Sequence, residues 1–273
     1  MLRVYHIQFP GLGLSFEIST IAFQLGSIKI YWYGIIICLG FLLAFLYCER
    51  RAWNFKIPQD AFLDAVILGT ILAIVGARLY YVAFYKGDTF IRNPIEIFHI
   101  NEGGIAIYGG LMGGILGGFI VSKVKKIKFL KLLDLGCLGF LIGQAIGRWG
   151  NFTNQEAFGV KTDSLLRMLS EGTHGESVHP CFLYESFWCA SGFILLHFFS
   201  LKFKKYDGQL FLLYVCWYGL GRFFIEGLRT DSLFIPHTSF RVSQFVAIIS
   251  STICLILLIY NAVKIKTHRY KTT

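Results

Sequence analysis

Seven stretches of this sequence, near residues 28–48, 61–84, 104–122, 131–147, 181–200, 208–226 and 241–263, are dominated by apolar residues and nearly free of charge. A bilayer core of about 30 Å takes roughly 20 apolar residues wound as a helix, and in lipid only helices and closed barrels satisfy their own backbone. These runs are too long for the short, alternately apolar strands of a barrel. Composition agrees, at 55% hydrophobic and 15% charged residues with a mean hydropathy of +0.59, where soluble domains carry about a quarter charged. The expected fold is an all-α integral membrane protein of seven transmembrane helices. Proline is sparse and no low-complexity linker interrupts the chain, so residues 1–273 read as one membrane domain, with 148–180 as a small extracytoplasmic cap.

The charges orient such a bundle. Arg50, Arg51 and Lys56 follow the first run, and Lys123, Lys125, Lys126, Lys128 and Lys131 separate the third from the fourth. Lys202, Lys204 and Lys205 separate the fifth from the sixth, and Lys264, Lys266, Arg269 and Lys271 form the tail. All four groups fall on one side of a seven-helix arrangement, which the positive-inside rule makes cytoplasmic. The N-terminus is then extracytoplasmic and the C-terminus cytoplasmic. The formal charge of +10 is membrane anchoring, since its lysines are split among short loops without the continuous basic face of a nucleic-acid binder. The start, Met1-Leu2-Arg3-Val4-Tyr5-His6, lacks the pattern of a cleavable signal peptide, so the first helix is expected to insert uncut, with the N-terminal polar stretch on the membrane surface.

Chemistry gathers where the fourth run meets polar sequence, in Gly147-Arg148-Trp149-Gly150-Asn151-Phe152-Thr153-Asn154-Gln155-Glu156. A guanidinium presents a planar fork matched to phosphate oxygens, and amides donate and accept beside it. A phospholipid head group lies at this depth, and the group is denser than a snorkelling arginine needs. Charges within the apolar runs add to it, because each is costly there without a partner. Arg78 lies in the second run; Tyr218, Arg222 and Glu226 share one face of the sixth by their four-residue spacing. Glu185 is placed to balance one of the arginines. Taken alone, Arg222 and Glu226 could equally be an internal ion pair.

Other features bear less on function. Glycines 103, 104, 109, 110, 113, 114, 117 and 118 include two interleaved four-residue ladders, suited to close helix packing and, secondarily, to a lipid-tail cavity. Seven cysteines form no C-x-x-C pair, and most sit in apolar runs as small buried groups. Cys181, beside Pro180 and near His179, is the one conceivable thiol nucleophile, but no triad completes it. No metal site is expected.

Residues 147–159 match G-R-x-G-N-F-x-N-x-E-x-x-G, and at these positions the chain resembles the bacterial prolipoprotein diacylglyceryl transferases. The likeness extends through Tyr31-Trp32-Tyr33-Gly34, Gly76-Ala77-Arg78, the glycine-rich third run, His179-Pro180, Leu183-Tyr184-Glu185 and Tyr218 to Glu226. It implies a seven-helix enzyme of the bacterial cytoplasmic (inner) membrane, without cofactor. Such an enzyme moves the sn-1,2-diacylglyceryl group of phosphatidylglycerol to the lipobox cysteine of a prolipoprotein signal peptide, the first step of lipoprotein maturation. On that resemblance the catalytic candidates are Arg148, Arg222, Tyr108 and Glu156. Those for phosphatidylglycerol binding are Arg148, Asn151, Asn154, Arg78, Tyr33, Tyr218, Glu226 and His179.

The chain departs from the family where members commonly carry His-Gly-Gly-Leu, having Tyr108-Gly109-Gly110-Leu111, and Tyr31 replaces a second histidine. A phenol of ordinary pKa near 10 is a poor base at neutral pH. Tyr108 is therefore expected to donate a hydrogen bond to phosphate or thiolate, with His179 or Glu156 as the alternative proton acceptors. A transporter would favour an inverted repeat, and an intramembrane protease needs a Ser/His pair or two intramembrane aspartates. Asp64 and Asp134 sit at run ends instead.

Overall fold

The computed structural model describes residues 4–85, 87–99, 103–235, 238 and 240–271, without the side chains of 268–271. Residues 1–3 of the N-terminus and the tail side chains of Arg269 and Lys271, all read from the sequence, lie outside the described residues. Among the described residues, seven helices are long and apolar enough to cross a membrane: α1 (Trp32–Ala52), α2 (Gln59–Phe84), α4 (Ile107–Val124), α5 (Phe129–Asn154), α6 (Cys181–Lys202), α7 (Gln209–Leu228) and α8 (Val242–Lys271). A short α3 (Thr89–Arg92) lies between α2 and α4. Large apolar side chains such as Ile67, Phe119, Phe224 and Ile256 stand exposed on these helices, as surface meant for lipid rather than water.

Two boundaries differ from the sequence reading. The first apolar run begins as a strand, because 28–31 pairs with its neighbour, and α1 starts only at Trp32. The fourth run continues past residue 147, so the segment 148–180 is helical as far as Asn154. The sequence reading also missed a small β component: β1 (Val4–Phe9), β2 (Leu14–Ser19), β3 (Ile21–Leu25), β4 (Ile28–Tyr31) and β5 (Leu169–Ser170). One antiparallel sheet has the order β2-β1-β5, and β3 and β4 form a separate hairpin turning on two residues, with Gly26 at φ +60°. That left-handed turn conformation costs glycine nothing.

The chain packs as two compact units, residues 1–48 with 136–273, and residues 49–135. In the first, β1 turns Ile7 and Phe9 inward against Met168, Val178 and Phe182, with Phe152 and Leu183 packed on the same cluster. Phe152 stacks on Phe182 with ring centroids 4.8 Å apart. The strands thus cover the end of α5 that carries the polar motif. Small residues bring α1 onto α5: a Cβ on Gly150 would sit 2.8 Å from the Tyr33 ring.

The second unit is built on α2 and α4. Side chains on Gly109, Gly113 and Gly117 would run into Gly76, Leu72 and Gly69 of α2, so this ladder is helix packing. The other ladder, Gly110, Gly114 and Gly118, meets its neighbours at ordinary contact distances, 3.5 Å or more. Lys125 holds Asp60 and Asp64, each at 2.8 Å, which accounts for Asp64 as a boundary ion pair.

Candidate active site

The polar motif is organised by how α5 stops. Glu156 N–H donates to Asn151 C=O at 3.1 Å and Gln155 N–H to Phe152 C=O at 3.2 Å, the paired bonds of a Schellman ending. Gln155 occupies the left-handed position at φ +57°, where glycine is usual. Its buried side chain offsets the strain by accepting the Gly172 N–H at 3.2 Å. The ending folds Glu156 back over the last helical turn, where its Oε1 accepts from Asn151 Nδ2 at 2.9 Å and Asn154 Nδ2 at 3.4 Å. Spacing along the sequence becomes a cluster because the helix end reverses the chain.

Arg148, one turn earlier, joins this cluster to buried charge. Its Nη1 donates to Asn151 Oδ1 at 3.3 Å, and its Nε is paired with Glu185 Oε2. Glu185 Oε1 in turn accepts from Arg222 Nη1 at 2.5 Å, and Arg222 Nη2 meets Glu226 Oε2 at 2.6 Å. Glu185 and Glu226 are buried, at 5% and 2% exposure, so the carboxylates stand in a medium where charge must be paired. One carboxylate balances both arginines, more than the sequence suggested. The partners named use two of the five donors on each guanidinium. Tyr218, one turn before Arg222, stacks on Tyr214 at 5.9 Å, and Tyr214 Oη accepts from Gln144 Nε2 at 3.1 Å.

Tyr33 and Asn154 line one open cleft of about 780 Å³, together with Lys29, Ile30, Tyr31 and Cys38. His179 Nδ1 lies 3.1 Å from Tyr184 Oη, and its backbone carbonyl accepts the Gly159 N–H at 2.8 Å. Gly159, the last residue of the motif, has no room for a side chain: a Cβ would lie 2.8 Å from both Cys181 Sγ and His179 Cβ. Cys181 is 1% exposed and fills that contact, a packing role. Beyond α7, Arg229 grips Asp231 through hydrogen bonds of 2.9 and 2.7 Å, which holds the Asp231 carboxyl below the usual carboxylate range.

Residues 20–260 match the family model for prolipoprotein diacylglyceryl transferase. The chain belongs to this family. It is 43% identical over 249 residues to the phosphatidylglycerol–prolipoprotein diacylglyceryl transferase of Bacillus cytotoxicus, an alignment covering 87% of this chain and 90% of that protein. Proteins of the same name from Bacillus cereus and Bacillus anthracis are 42% identical over 252 residues, with the same coverage.

Two candidates fall in the other unit of this prolipoprotein diacylglyceryl transferase family member. Arg78, expected from the sequence to face the lipid phosphate, is 6% exposed and gives its donors to its own backbone. Nε donates to Ile97 C=O at 2.8 Å, Nη1 to Gly103 and Gly104 at 2.8 and 2.9 Å, and Nη2 to Glu96 and His99 at 2.5 and 3.2 Å. Five bonds exhaust a guanidinium. Arg78 thus clamps the segment leading into α4. Tyr108, in the first turn of α4, is exposed and lies 6.4 Å from the Tyr80 ring.

Proposed function

We propose that this chain transfers the sn-1,2-diacylglyceryl group of phosphatidylglycerol to the thiol of a lipobox cysteine in a prolipoprotein, forming a thioether and releasing glycerol 1-phosphate. The observation that carries the reading is the continuous chain Glu226–Arg222–Glu185–Arg148–Asn151–Glu156, which ends in the family's own motif. The thiolate sulfur attacks the glyceryl CH₂ carbon that bears the phosphate. A carbon–sulfur bond forms, the carbon–oxygen bond breaks, and its electron pair leaves on the phosphate.

Arg148 and Asn151 hold the incoming phosphodiester with their remaining donors, and Arg222 meets the charge that grows on the leaving oxygen. Glu185 and Glu226 keep both guanidiniums in place. Asn154, Tyr33 and Tyr218 line the approach of the lipid. Glu156 accepts the thiol proton: it is exposed and already tied to Arg148 through Asn151. The competing base, His179, has its Nδ1 turned to Tyr184. For Tyr108 a hydrogen bond to phosphate or thiolate rests on the family resemblance alone. The four basic groups on one side of the bundle support a multi-pass protein of the bacterial cytoplasmic membrane, N-terminus outside and C-terminus inside.

The test is lipidation of a lipobox peptide by the purified chain in phosphatidylglycerol vesicles, read as a gel shift. A shift that requires both the peptide's cysteine and phosphatidylglycerol supports the reaction. No shift with folded protein sinks it.

A further inference from the structure

Below the ion network, α6 and α7 are joined by a feature the chemistry above does not use. Trp188 and Trp217 stack with centroids 4.4 Å apart and planes inclined by 16°. Trp188 Nε1 donates to Trp217 C=O and Trp217 Nε1 donates to Trp188 C=O, both at 2.9 Å. Four residues after each tryptophan stands a glycine, Gly192 and Gly221. A Cβ on Gly192 would strike Trp217 Nε1, and one on Gly221 would strike Trp188 Nε1. Each W-x-x-x-G segment supplies an indole to the notch of the other.

Such an interlock tolerates almost no slippage. A carbonyl already bonded within its helix has a second lone pair for the indole, and an indole N–H left unpaired among apolar groups is costly. Moving one helix along the other by a single residue, about 1.5 Å with a turn of roughly 100°, breaks both bonds and carries a side chain into each notch. Glu185 precedes Trp188 by three residues on the same helical face, and Arg222 directly follows Gly221. The register that seats the indoles is the one that brings Glu185 Oε1 to 2.5 Å from Arg222 Nη1.

We propose that the reciprocal Trp188/Gly192 and Trp217/Gly221 interlock is the positioning device of the active site. It sets the depth of Glu185 against Arg222, so that the guanidinium stands ready where charge develops on the leaving phosphate. This rests on the reaction proposed above. Trp188 and Trp217 are positioning residues; neither touches the reacting atoms.

The experiment uses the full chain in phosphatidylglycerol bilayers, with kcat and KM for the lipid, melting temperature, and the near-ultraviolet circular dichroism of the stacked indoles. Gly221→Ala should lose the stacked-indole signal and lower kcat about tenfold or more, with KM within about threefold, because ground-state lipid contacts are untouched. Trp188→Leu combined with Gly221→Ala should recover part of that kcat, the methyl entering space the indole has left, which is non-additive coupling between touching residues. Gly219→Ala, whose methyl would strike Ser251 of α8, is the comparison, expected to lower stability without a matching loss of kcat. The proposal is overturned if both glycine variants lose kcat in proportion to melting temperature, or if the double variant is no better than Gly221→Ala. Where Gly221→Ala does not accumulate, Trp188→Phe decides: a ring without the N–H should reduce kcat severalfold, and unchanged kcat overturns the interlock. A folded wild-type chain that fails to lipidate the peptide removes the reaction, and this proposal with it. Active wild type with indifferent variants removes this proposal alone.

Discussion

Arg148 and Arg78 differ in how many of their N–H donors the protein itself consumes: two against five. Arg148→Lys keeps the charge and loses the fork, so transfer to a lipobox peptide should fall more than about tenfold, roughly 1.4 kcal/mol of transition-state binding. Turnover near that of wild type would end the phosphate role. Arg222→Ala should depress the single-turnover rate far more than lipid affinity, because its interaction strengthens as the phosphate gains charge; a loss confined to affinity would make it a binding residue only. The same substitution leaves Glu185 and Glu226 without their shared cation and should cost about 3–5 kcal/mol of stability, so both readings are taken on protein shown to be folded. Arg148, Asn151 and Glu156 were legible in the sequence because one helix end gathers them. Glu185 as the bridge between two arginines was not, since it depends on helices that meet only in the fold. The clamp made by Arg78 was illegible for a related reason: its acceptors are backbone carbonyls, which carry no signature in sequence.

At the level of elements, hydropathy gave the seven helices and missed where α5 ends. The Schellman closure uses Gln155 in a conformation that normally announces itself as glycine, so the sequence gives no stop at Asn154. The N-terminal strands were overlooked because each is only four to six residues long, and in β1 only Ile7 and Phe9 join the Ile7–Phe182 cluster. Arg78 donates to five backbone carbonyls of the segment entering α4. Arg78→Met should therefore release several carbonyls at once and destabilise the protein by at least about 3 kcal/mol, the worth of two hydrogen bonds to a charged group. Hydrogen exchange of residues 94–99 and 103–106 should rise in that variant; unchanged protection would show the segment holds without the clamp.

For the molecule as a whole, the distribution of lysine and arginine predicts its orientation in the membrane. A reporter active only in the cytoplasm should work when joined at the C-terminus and fail when inserted near Asp163, and the reverse pattern would invert the arrangement. A second consequence follows from the neutrality of the buried network, in which two guanidiniums face two carboxylates. The donor lipid brings one negative charge, whereas the phosphate monoester it leaves behind carries nearly two at neutral pH, its second ionisation lying near pH 6. A pocket of bare arginines would grip its spent product harder than fresh lipid and stall at release. With the phosphate bound as proposed, Glu185 and Glu226 would repel the extra charge that the transfer creates, and the resting pocket would favour letting go. Glycerol 1-phosphate should accordingly be a feeble inhibitor, and Glu226→Gln, while milder than Arg222→Ala in its effect on transfer, should become the variant that product clogs.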